Sequence, residues 1–73
     1  MTEDLRIQYG YKLRTMRLAV GLTQKQVGLA CGFAEKTACT IVRHWEHGKQ
    51  LPGIDRLRAL AAALQVPVSQ VLP

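Results

Sequence analysis

The sequence predicts an all-α fold of four to five short helices around one small core. Apolar residues recur at spacings of three and four along most of the chain, the signature of helices with one buried side. Gly21, Gly32 and Gly48 break that pattern where helices are expected to end. The 73 residues suffice for one domain spanning 1–73, above the roughly 40 below which chains need metals or disulfides to fold. Such a core is thin, so self-association would add stability.

The first helix is expected over Glu3 to Val20, a segment without proline in which Leu5, Tyr9, Leu13, Met16 and Val20 share one face. Thr2 is a plausible N-cap, and Glu3 and Asp4 suit the positive end of the helix dipole. Gly10 reads as a weak point, costing about 1 kcal/mol relative to Ala. Gly21 ends this helix, and Thr23 caps a second one over Gln24 to Cys31. In it Val27 and Cys31 face inward, while Gly28 and Ala30 let a neighbour approach closely. Phe33 to His47 reads as a third, amphipathic helix. Ala38, Ile41, Val42 and Trp45 form its apolar stripe, with Lys36, Thr40, Arg43 and His47 opposite and His44 flanking. After a turn at Gln50 to Gly53, Ile54, Leu57, Leu60, Ala61 and Leu64 mark a fourth helix, limited by Pro67. Ser69 to Leu72 can add one more turn.

Ten basic residues face five acidic ones, for a net charge of +5. Between Tyr11 and Gln50 there are seven basic residues and only two acids, Glu35 and Glu46. That asymmetry suits a polyanion. No charged start leads into an apolar leader, and no apolar run nears the roughly 18 residues of a membrane span. A cytoplasmic protein with reduced Cys31 and Cys39 is expected.

Two short helices joined by a small-residue turn, the second polar on its outer side, make a helix-turn-helix over about 23–47. Its second helix can lie in the DNA major groove, about 12 Å wide.

Three runs, "LRTMRLAVGLTQKQVGLACG", "IVRHWEHGKQLP" and "LRALAAALQVPVSQVL", together resemble the Cro/CI (XRE-type) repressor domain, lambda-repressor-like in fold, from about Tyr9 to Leu72. Most specific are Gly21-Leu22-Thr23-Gln24 and Trp45-Glu46-His47-Gly48-Lys49. The resemblance implies a sequence-specific DNA-binding regulator, bacterial or phage-encoded and dimeric on its operator. It places Gln24 on the DNA backbone at the start of helix two, where Thr23 and Lys25 are further candidates for phosphate contact, and His47 and Lys49 on it after helix three. It makes Arg17 and Glu46 a structural pair. For base contacts, counting back from Trp45 selects Ala38, Cys39, Thr40, Arg43 and His44; counting forward from Gly32 selects Ala34, Glu35, Lys36 and Thr37. The two differ because the chain is about one helical turn longer here than the family pattern, with the extra residues in Phe33 to Thr37. The apolar stripe favours the first count. Arg43 is then the leading base reader, through a guanine, with Thr40, His44, Lys36 and Thr37 as further base contacts. Gly53 stands where the pattern prefers a Ser or Asp cap.

Other chemistries fit less well. Cys31, Cys39, His44 and His47 are zinc-binding residue types, but Cys31 lies on an inward stripe and the spacing forms no tight knuckle. Ser69, the lone serine, leaves no catalytic arrangement with His and Asp, so no enzyme is expected; no cofactor or small-molecule ligand is expected either. An antitoxin or a restriction–modification controller, binding a protein partner as well as its promoter, is the alternative within the same fold. For a homodimer, Val66, Val68, Val71 and Leu72 are the candidate interface; the alternative is that they cap the core.

Overall fold

The computed structural model describes residues 2–73, with side chains from Leu5 onward. The capping by Thr2 and the first-turn roles of Glu3 and Asp4 lie outside the described side chains. Helices α1 (Thr2–Ala19), α2 (Gln24–Ala30), α3 (Glu35–Glu46) and α4 (Leu57–Leu64) follow in order, with single 3₁₀ turns at Ile54–Arg56 and Val68–Gln70. No strand occurs among the described residues.

Local chemistry sets most boundaries. Gly21 adopts φ +73°, the left-handed conformation that turns the chain out of α1. The Thr23 hydroxyl accepts from Gln26 N at 3.1 Å, while Gln26 Oε1 accepts from Thr23 N at 2.8 Å. That reciprocal box satisfies two backbone donors at the start of α2. The α2–α3 connection is short, and Phe33 N donates back to Gly28 O. Helix α3 therefore starts at Glu35 rather than Phe33, with Ala34 as an N-cap that offers no side-chain hydrogen bond. Phe33 instead packs edge-on to Trp45, ring centroids 5.7 Å apart, and Arg56 lies over its other face at 4.3 Å. The Arg56 guanidinium also donates to Cys31 O at 2.7 Å, pinning the turn from outside.

The core gathers Leu13, Val27, Val42, Trp45, Leu57, Leu60 and Leu64. Two glycines bring α3 against its neighbours. A Cβ on Gly28 would lie 2.6 Å from the Ala38 Cβ, and one on Gly10 would fall on the carbonyls of Trp45 and Glu46. Gly10 is thus a packing requirement and not merely a weak point of α1, whereas Ala30, expected to share this role, is exposed. The Tyr9 hydroxyl donates to Val71 O and ties the C-terminal turn to α1. Burial pushes its pKa up to about 12.

Two expected core positions and one expected interface residue are corrected. Leu5 is 66% exposed, at the rim of a shallow cleft shared with Tyr9, Leu51 and Pro73. Ile54 is 89% exposed, because the chain enters α4 through a 3₁₀ turn that rotates it off the apolar stripe. Val71 is fully buried, which removes it from any interface, while Val68 and Leu72 stay exposed.

Candidate nucleic-acid interface

The inner side of α3 is fixed by packing and by one buried ion pair. Arg17 Nε lies 2.6 Å from Glu46 Oε2, and Arg17 Nη2 donates to Glu46 Oε1 at 3.1 Å. Gln24 Nε2 donates to the same carboxylate at 3.1 Å, and Arg17 Nη1 donates to Leu22 O at 2.9 Å. Helix α1, the α1–α2 turn, α2 and the end of α3 are thereby joined at one point. The Glu46 hydrogen bond holds the Arg17 guanidinium above its usual pKa, against the opposing effect of burial. Among the described side chains, no buried polar atom lacks a partner.

The outer side differs. Lys36, Thr40, Arg43 and His47 follow at spacings of four, three and four, so they form one stripe opposite Ala38, Val42 and Trp45. Lys36, Arg43 and His47 are exposed and Thr40 is half-buried. None of the three exposed residues makes a side-chain hydrogen bond or ion pair among the described residues. The flank of α3 beside α2 carries Glu35 and Cys39. Lys25 Nζ lies 2.8 Å from Glu35 Oε1, and Cys39 Sγ donates to Gln24 Oε1 at 3.6 Å. The Lys25 hydrogen bond lowers the Glu35 carboxyl pKa. Thr37 and His44 fall on the opposite flank by helical rotation of about 100° per residue.

Apart from Ala34, the N-cap, both expected base-contact sets therefore lie on one continuous helix. Glu35, Lys36 and Thr37 form the first turn of α3, before Ala38. Of the backbone set, Thr23 is exposed with its hydroxyl oxygen engaged in the capping box, though its proton remains available to donate. Gln24 is half-buried and turned toward Glu46 and Cys39. His47 and Lys49 are exposed where the chain leaves α3, at a turn made by Gly48 with φ +74°. Gly48 also lies against the backbone of Arg6 and Ile7.

An open cleft of about 750 Å³ runs between α1 and this surface, lined among others by Tyr11, Arg14, Gln24 and His47. Sequence reasoning missed Tyr11 and Arg14, because only the fold brings α1 alongside Gln24. It also missed Arg56, which no local pattern links to Phe33. Gln26, three residues after Thr23, was the available signal for the capping box.

The zinc-type residues do not converge: Cys31 is buried, and among the described residues no three His, Cys, Asp or Glu side chains form a metal-sized group. Burial raises the Cys31 thiol pKa, partly offset by Arg56. No described helix is long and apolar enough to cross a membrane.

The family model described as "Helix-turn-helix" matches residues 13–71. No curated protein and no solved structure matches the chain.

Proposed function

The chain belongs to the helix-turn-helix family in its XRE-type, Cro/CI form, a family of DNA-binding regulators, and on that premise we propose that it is a Cro-like repressor. It acts in the cytoplasm, on the nucleoid, by laying α3 in the major groove of an operator. One observation carries the reading. The outer stripe of α3 presents donors without a partner among the described residues, while its inner side is held by Ala38, Val42, Trp45 and the Arg17–Glu46 pair. A rigid helix with free donors on one side suits base reading, because the contacting groups are already oriented.

Arg43, central on the stripe, reads a guanine through its paired donors, and Thr40 meets a thymine methyl. Lys36 lies one turn earlier on the same stripe and reaches bases or the backbone. Thr37 and His44 contact the groove margin from the far flank. Thr23, Gln24 and Lys25 approach one backbone segment, and His47 and Lys49 another. A homodimer would span half-sites about 34 Å apart. Of the four candidates for that contact, Val68 and Leu72 are exposed and Val66 is half-buried.

An electrophoretic shift series on the DNA upstream of its own gene tests the reading. A specific complex should form there and outcompete a scrambled duplex at physiological salt. Equal binding to both would overturn the proposal.

A further inference from the structure

The outward face of α1 takes part in none of these contacts. Tyr11, Arg14 and Leu18 follow at spacings of three and four and share that face. They form one wall of the 750 Å³ cleft, and Gln24 and His47 lie on another. Of the two guanidinium groups lining it, Arg17 is engaged by Glu46 and by Leu22 O. Arg14 is exposed and makes no side-chain hydrogen bond or ion pair among the described residues. The acid in the lining, Glu46, has a side chain only 2% exposed and already accepts three hydrogen bonds. The solvent side of the cleft is therefore cationic, with the 66% exposed Tyr11 beside it.

We propose that this cleft seats a phosphate of the operator backbone beyond the segment read by α3, held by the Arg14 guanidinium with the Tyr11 hydroxyl as second donor. The proposal rests on α3 entering the groove as described above. A strand that reaches both Gln24 and His47 runs along the mouth of the cleft. The planar fork of an arginine matches two phosphate oxygens, and a phenol hydroxyl donates to a third acceptor position. Helix α1 then lengthens the footprint on DNA without reading sequence.

Salt titrations of DNA binding by wild type, R14Q, R14K, Y11F and K12Q test this. Neutralising one phosphate contributes about 0.9 to the slope of log affinity on log salt, or about fivefold in affinity near 0.15 M. R14Q should lose that much slope and affinity on operator and scrambled DNA alike. R14K should recover the slope, and Y11F should lose about twofold in affinity with the slope intact. K12Q removes a cation from the same helix outside the cleft and should match wild type. An R14Q slope equal to wild type, or a K12Q loss equal to that of R14Q, would overturn the assignment. A pocket for free anions alone instead predicts that R14Q weakens binding of inorganic phosphate to the DNA-free protein while leaving DNA affinity and its salt slope unchanged; that result would also overturn it. If wild type itself bound no duplex, the underlying functional reading would be what failed.

Discussion

The inner and outer sides of α3 are held by different means. Inside, Ala38, Val42 and Trp45 are no more than 2% exposed, and the Glu46 carboxylate has three donors. Glycine at position 28 and at position 10 removes the Cβ atoms that would otherwise hold α2 and α1 away. Outside, Lys36, Arg43 and His47 face solvent with no protein partner among the described residues. The difference teaches how one helix can be rigid on one side and open to a ligand on the other. Groups left unpaired in a buried site would destabilise the fold, but in water they are solvated at little cost and free to be taken up by a ligand. Their geometry is then set by the other side of the same helix. Changes on the inner side should therefore act on stability, and changes on the outer side on ligand choice.

Replacing Glu46 by Ala should have the largest effect on the fold. It leaves Arg17 largely buried without its counter-charge, a change that costs about 3 kcal/mol or more. A domain of this size has roughly 4–11 kcal/mol of total stability, so thermal unfolding should fall by well over 10 °C. A fall below about 4 °C would mean that the pair does not hold the inner side.

Gly10→Ala comes next, and its sign is the test. Helix propensity alone makes Ala more stable than Gly by about 1 kcal/mol. The close approach of the Trp45 and Glu46 carbonyls reverses this, with a net loss of about 1–3 kcal/mol from overpacking. Urea unfolding should show a lower midpoint; a raised midpoint would show that α1 and α3 can separate without loss.

Tyr9→Phe should cost about 1 kcal/mol at neutral pH, through the lost bond to Val71 O. Its pH dependence is more distinctive. The folded phenol has its pKa raised from the ordinary 10.0 to about 12, so the fold favours the protonated form. That stabilisation is fully present below pH 10 and is lost as pH rises from there through 12. Wild type should therefore lose stability in this window, and the Phe variant should lose less. Parallel alkaline profiles would remove Tyr9 from the account.

Much of this division was legible in the sequence. The 3.6-residue stripe of Ala38, Val42 and Trp45 set the inner side of α3, and Gly21, Thr23 and Gly48 marked helix ends because each has a local backbone role. Legibility failed where the cause is non-local. Gly10 looked like a defect because its partners, the Trp45 and Glu46 carbonyls, are far along the chain. Phe33 looked helical because nothing local announces the Arg56 that covers it. Ile54 and Val71 exchanged their expected environments because a 3₁₀ turn rotates side chains by a different angle from an α-helix. In the site, the stripe from Lys36 to His47 could be read from periodicity. The pairing of Lys25 with Glu35, and the cleft beside Arg14, needed the packing of separate helices.

Arg43→Ala should change stability by less than about 0.5 kcal/mol, as expected for an exposed side chain. Its consequence belongs to the outer side, and binding-site selection from a random duplex library, run in parallel for wild type and Arg43→Ala, tests the claim that this side reads DNA. Wild type should enrich a discrete motif, and the variant should relax preference for a guanine at one position while keeping the rest. An unenriched wild-type pool, or an identical motif from both proteins, would contradict it.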